Sequence, residues 1–156
     1  MQPSITIRSA TREDVALLAG YNAAMAWETE RKRLEPATLA SGIAAVFDDP
    51  RRGFYLVAER GGNAAGALLV TYEWSDWRNG DWWWIQSVFV AEHARRLGVF
   101  RALYREVERR SLATAGVVGL RLYVEWENAR AQATYASLGM QQAHYHMFQK
   151  SHVALD

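Results

Sequence analysis

Hydrophobic and polar positions change period several times along the chain, and each change marks an element. "SITIRSA", residues 4–10, alternates like a half-buried strand, and Thr11 followed by Asp14 three residues on is a capping-box start for a helix. Val15, Leu18, Asn22 and Met25 then recur at spacings of three and four, which predicts a helix to about Glu28 or beyond. A second helix is predicted from Pro36, with Leu39, Ile43, Val46 and Phe47 on one face until "DDP" stops it. "GFYLVAER" reads as a buried strand, "GGN" as a turn, and "AGALLVTYEW" as the antiparallel partner. Asn79-Gly80 is the strongest hairpin signal and leads into "DWWWIQSVFV".

From Gly98 the period lengthens again, with Phe100, Leu103 and Val107 on one face, so an amphipathic helix should run to about "ATAG". "GLRLYVEW" sets Leu120, Leu122, Val124 and Trp126 against Arg121, Tyr123 and Glu125, as a strand does. "ENARAQATYASLG" reads as a helix with Asn128 near its N-cap and Gly139 at its C-cap, and "MQQAHYHMFQK" as a closing strand. The expected order is β-α-α-β-β-β-α-β-α-β: an α/β (α+β) fold with four helices on a mixed, largely antiparallel twisted sheet of about six strands.

Composition narrows the function classes. At 156 residues, half of them apolar, the chain fits a single domain over residues 1–156 with its own core. The formal charge is +1, which speaks against a nucleic-acid footprint, and Lys32 and Lys150 are the only lysines among 18 basic residues. The cations are therefore overwhelmingly arginines, suited to planar anion recognition. With no cysteine, thiol nucleophiles and cysteine-ligated metals drop out. "MQPSITIRSATRED" has no apolar signal core and no run approaches a membrane span, so the expectation is a cytoplasmic protein without membrane partners.

The junction "SVFVAEHARRLGVFRAL" carries the first chemistry. A strand delivers the chain to a helix whose first N–H groups lack helical acceptors, Gly98 permits an unusual backbone angle, and Arg95, Arg96 and Arg101 surround the turn. A pyrophosphate suits such a nest, although an ordinary turn with solvated arginines has the same letters. A dinucleotide redox enzyme is disfavoured, because no G-x-G-x-x-G follows an early strand.

Here the chain resembles the GNAT acetyltransferase superfamily. Its [Q/R]-x-x-G-x-[G/A] signature is matched by Arg95 and Gly98 and departs at Phe100, while "NARAQATYASLGM" supplies Asn128, Ala131 and Tyr135 at the family's spacings. The resemblance implies acetyl-CoA as co-substrate and no metal. It implies a pantetheine arm on the backbone of Val88, Phe89 and Val90, and a pyrophosphate on the N–H groups of Arg96, Leu97, Gly98, Val99, Phe100 and Arg101, with Asn128, Ala131 and Tyr135 completing the cofactor site. The backbone donors survive any side chain at 100, where Phe100 is expected to pack with Leu103 and Val107.

The implied reaction is N-acetylation of a small-molecule amine by direct attack in a ternary complex; a non-catalytic acyl-CoA-binding or interaction domain is the alternative. Tyr135 is the expected acid for the departing thiolate. If Asn79-Gly80 makes a two-residue turn, paired residue numbers sum to 159, placing Glu73 opposite Gln86 and Ser75 opposite Trp84. Glu73 is then the candidate base, direct or through water, with Gln86 beside it at the catalytic centre; a strand carboxylate paired with an arginine fits Glu73 as well.

"YEWSDWRNGDWWW" interleaves aromatic and acidic groups, so Trp74 and Trp84 are candidate contacts for a cationic amine, with a dimer surface or a sheet staple as alternatives. At least one of Trp82, Trp83 and Trp84 must be core, since successive strand residues face opposite ways. The resemblance implies that "AWETERKRLEP", with Glu28 and Glu30, lies at the other wall of the acceptor site, and a solvated charged face fits those residues as well. His144 and His146 share a strand face without a third ligand, and a homodimer is compatible with exposed tryptophans.

Overall fold

A computed structural model describes residues 2–154; Met1, Leu155 and Asp156 lie outside the described residues. The chain forms two compact units, one up to Arg121 and one from Leu122. The first contains β1 (Ile5–Ser9), α1 (Val15–Glu30), α2 (Pro36–Asp48), β2 (Phe54–Arg60), β3 (Asn63–Ser75), β4 (Gly80–Val90), α3 (Val99–Ala113) and β5 (Val117–Arg121). The second holds α4 (Ala129–Ser137).

The sheet order is β1-β2-β3-β4-β5, antiparallel through β4, with β5 parallel to β4 after the α3 crossover. Its two faces bury different residues. Val57, Tyr55 and Ala67 pack with Leu18 of α1 and Ile43 of α2. On the other face α3 turns Val99, Leu103, Tyr104 and Val107 inward. Each fully buried aliphatic side chain contributes roughly 1.5–3 kcal/mol.

The helix starts follow from the sequence. Asp14 accepts from the Thr11 amide at 2.8 Å and forms a two-bond pair with Arg8, so the capping residue is also the anchor of β1. Glu35 caps α2, its carboxylate accepting from the amides of Ala37 and Thr38 with Pro36 at the first helical position. Gly53, at φ +147°, sits where a Cβ would lie 2.1 Å from the Val70 carbonyl oxygen. Gly53→Ala is expected to cost about 3 kcal/mol, read in a thermal melt as a fall in Tm of roughly 10 °C.

Three expectations are corrected. The β3–β4 connection is a four-residue loop, Asp76 to Asn79, because Ser75 pairs with Gly80. Asn79 takes the left-handed conformation (φ 50°) and the Arg78 amide reaches Ser75 O. Gly80 belongs to the strand, where a Cβ would lie 2.5 Å from Gly116 O, so that glycine serves a close approach and not the turn. β5 ends at Arg121, short of the expected 126, and residues 140–150 form no strand, leaving five strands among the described residues. Alternation makes a segment competent to pair, but a strand exists only where a partner's hydrogen bonds continue: β4 pairs with β5 only as far as Trp84 and Arg121.

Among the described residues no helix is long and apolar enough to cross a membrane.

Candidate active site

The site's geometry starts with one extra residue in β4. Leu69 pairs with Gln86 and Ala67 with Phe89, so Ser87 and Val88 together stand opposite Leu68. Ser87 takes φ 50° to make room. This bulge bends β4 just beyond the last residue paired with β5. From Ile85 to Val90 no strand among the described residues pairs with the β5-side edge, which leaves a row of backbone groups able to receive another extended chain. Val88, Phe89 and Val90 lie in that stretch: Phe89 pairs with Ala67 of β3, and the Val90 carbonyl accepts from Arg95 Nε.

The strand then enters the nest. The Ala91 amide bonds to Ala65 O, a 3-10 turn spans Glu92–Ala94, and Arg96 (φ 65°) and Gly98 (φ 87°) adopt left-handed conformations before α3 begins at Val99. The first helical bond runs from the Ala102 amide to Gly98 O, so the amides of the helix start lie outside the α3 ladder. A Cβ at Gly98 would meet nothing within 4 Å, which marks open space in front of the turn.

The arginines divide the work. Arg95 is committed away from the turn: its Nε donates to Val90 O at 3.0 Å, a terminal nitrogen pairs with Glu28 at 2.8 Å, and its guanidinium lies 5.6 Å from the Phe89 ring centre. Its side chain therefore braces the end of β4 against α1. Arg96 is exposed at the turn and forms no ion pair among the described residues. The buried stripe of α3 is Val99, Leu103, Tyr104 and Val107, which corrects the expected stripe: Phe100 is half-buried at its edge, 6.3 Å from the Tyr104 ring. The helix begins one residue after Gly98, so Val99 takes the core position.

The register also re-sorts the acceptor-side candidates. Glu73 pairs with Trp82, Thr71 with Trp84 and Leu69 with Gln86, which corrects the expected Glu73–Gln86 pairing by four positions on β4, because the turn is centred two residues earlier, between Trp77 and Arg78. Paired residues share a face, and Leu69 packs against the α1/α2 core, so Glu73, Thr71, Trp82, Trp84 and Gln86 all lie on that side. Trp74 lies on the opposite face, 61 % exposed, and is not brought together with Trp84. Trp83 is the core member of the triplet, in edge contact with Phe54.

Glu73 is not isolated. Trp84 Nε1 donates to its Oε1 at 3.1 Å and Arg121 donates to the same oxygen at 2.5 Å. Those donors, Trp84 first and then Arg121 against the opposing effect of burial, hold its carboxyl below the usual carboxylate range. The Arg121 guanidinium also lies over Trp82, 4.0 Å from the ring centre, and that indole covers Gly119, where a Cβ would come within 2.4 Å of it. Gln86 donates to Thr71 Oγ1 one pair further along. The sequence reading missed Arg121 and Gly119; the triplet of tryptophans beside a parallel strand was the available signal. Glu28 is taken by Arg95, and Glu30 sits exposed at the end of α1.

In the second unit Asn128 caps α4, its side-chain oxygen accepting from the Ala131 amide at 3.1 Å. The helix closes with Gly139 at φ 92° and amide bonds from Met140 to Tyr135 O and from Gly139 to Ala136 O, a Schellman ending. Asn128, Ala131 and Tyr135 share one side of α4. Tyr135 is half-buried, and burial pushes its phenol above the ordinary value. His146 stacks on Trp126 at 6.1 Å.

A bulged strand that meets no β5 partner beyond Trp84, running into a left-handed turn and a helix start, defines an α/β protein of mixed sheet. The model of the Acetyltransferase (GNAT) family matches residues 17–140, and the chain belongs to that family. A mycothiol acetyltransferase from Tsukamurella paurometabola is 30 % identical over 151 residues, 92 % of this chain and 50 % of the relative. The chain thus spans about half the length of that curated relative. Among solved structures, a possible acetyltransferase from Clostridium difficile 630 is 40 % identical with a TM-score of 0.88, covering 96 % of this chain and 99 % of its own. An aminoglycoside N-acetyltransferase in complex with CoA shares the fold, at 15 % identity and a TM-score of 0.79 over 98 % of both chains.

Proposed function

We propose that residues 1–156 work as one N-acetyltransferase domain that moves an acetyl group from acetyl-CoA to the primary amine of a small molecule, by direct attack in a ternary complex. The observation that carries this is the unpaired β4 edge at Val88 to Val90 leading into the Gly98-capped start of α3. An extended amide-bearing arm matches the strand edge, and a pyrophosphate matches the helix start, where the dipole and backbone N–H groups favour anions. The solved CoA complex of the same fold supports the choice of ligand.

Bound acetyl-CoA supplies an electrophilic thioester carbonyl. The Val88 amide polarises its oxygen. The amine nitrogen bonds to the carbonyl carbon, the carbon–sulfur bond breaks, and the Tyr135 phenol, kept protonated by burial, gives its proton to the departing thiolate. The ammonium proton leaves through water past Gln86, the polar side chain of β4 nearer Val88, while the register sets Glu73 further back, opposite Trp82. Glu73 holds protons weakly in its pair with Arg121, so the rate is expected to rise with pH as the acceptor amine itself is deprotonated, with no inflection from Glu73 between about pH 6 and 9.

The test is incubation with acetyl-CoA and a panel of amines while free thiol is monitored. Amine-dependent release, strongly reduced by Tyr135→Phe, supports the reading. CoA binding without release for any amine would favour a binding-only domain.

A further inference from the structure

The connection between α1 and α2 departs from what its letters suggest. "AWETERKRLEP" looks acidic enough to hold a cation, yet two of its three carboxylates are engaged elsewhere, and the third, Glu30, is exposed at the end of α1. Glu28 is paired with Arg95, and Glu35 accepts from the two amides that start α2. The cations are not spent: Arg31, Lys32 and Arg33 form no ion pair among the described residues, and Lys32 is half-buried. Their placement is fixed by the backbone, because α1 ends in a Schellman closure with Arg31 in the left-handed conformation (φ 54°), the Arg31 amide on Trp27 O and the Lys32 amide on Ala26 O.

Around them lies a cleft of about 350 Å³ lined by Ala23, Trp27, Lys32, Arg33, Leu34 and Pro36. Its walls are an indole, a leucine, a proline and an alanine, and its charges are an ammonium and a guanidinium. Arg33 and Arg31 lie 4.7 and 5.4 Å from the Trp27 ring centre, so the indole holds both guanidiniums at the rim. A lysine that forms no ion pair among the described residues, beside apolar walls, is complementary to an anionic group on an apolar frame. One ion pair joins this cleft to the reaction strand: Trp27 adjoins Glu28, Glu28 holds Arg95, and Arg95 donates to Val90 O.

Resting on the acetyl-transfer reading, we infer that the acceptor is an amine that also carries an anionic group, a carboxylate or a phosphate, on an apolar frame, and that Lys32 and Arg33 select for that anion. The amine of such a molecule lies toward β4 while its anion and apolar body lie in the cleft.

Three probes of one frame separate the possibilities: L-phenylalanine, its aminophosphonate analogue, and 2-phenylethylamine, which lacks the anion. KM is read from thiol release, and binding is read independently by calorimetry with CoA present. At least one anionic probe is expected to bind about tenfold or more tightly than 2-phenylethylamine, and which of the two does so identifies the anion. In Lys32→Ala and Arg33→Ala that preference falls toward one, and Lys32→Arg restores part of it. A missing preference, a preference that survives both alanine variants, or alanine variants that weaken CoA binding instead would overturn the inference. An anion preference in calorimetry without acetylation of any amine sustains the cleft and sinks the acetyl-transfer reading. Acetylation of 2-phenylethylamine without anion preference does the reverse.

Discussion

Tyr135→Phe is expected to lower the single-turnover rate of thiol release by roughly 10²- to 10⁴-fold, the range that a positioned general acid supplies. CoA affinity should stay within about twofold, since the interaction proposed for Tyr135 is with the departing sulfur and not with the ground-state ligand. Burial raises the phenol above its ordinary value, so the group keeps its proton through the neutral range and the deficit should persist at every pH from about 6 to 9. Asn128 bonds the backbone of its own helix and Tyr135 reaches the closing Schellman bonds through its carbonyl, so removing the hydroxyl leaves the α4 hydrogen bonds in place. Wild-type rates in the variant across that pH range would remove Tyr135 from the mechanism.

The second large effect is expected at the nest. Gly98→Val should raise the CoA dissociation constant about tenfold or more, while Phe100→Ala changes it by less than about threefold. Gly98 stands at φ 87°, where an L-residue costs roughly 1–2 kcal/mol and a β-branched one more. Its missing Cβ faces open space, so the variant folds with a strained turn and a branched side chain projecting where the pyrophosphate is proposed to lie. Phe100 offers the ligand its backbone, and its ring lies beside Tyr104 at the edge of the buried stripe. Calorimetric titration of both variants, with folding checked by circular dichroism, decides the matter; comparable dissociation constants would overturn the nest.

Much of this molecule is legible in its letters. The order of elements through α4, the cap at Asp14, the starts of α2 and α3 and the cap by Asn128 follow from local spacing and turn chemistry, because each is satisfied within a few residues. The family resemblance likewise rested on two short patterns, one before α3 and one across α4.

Pairing and partner choice are different. A period-2 pattern says which residues share a face, but the β3–β4 register turned on whether Gly80 was a turn residue or a strand residue. That was decided by Gly116, 36 positions later, whose carbonyl leaves no room for a side chain at 80. The same holds for the Ser87 bulge, for Arg95 turning to Glu28, and for Glu73 meeting Arg121 across three strands. The sequence by itself determined the order of elements through α4, the caps at Asp14 and Asn128, and a helix start after Gly98 whose backbone donors every residue but proline supplies. Only the tertiary structure decided which charges were already spent and which strand edge stayed open. Ion pairs and ladder bonds are made with residues tens of positions away, and no local pattern records the distance.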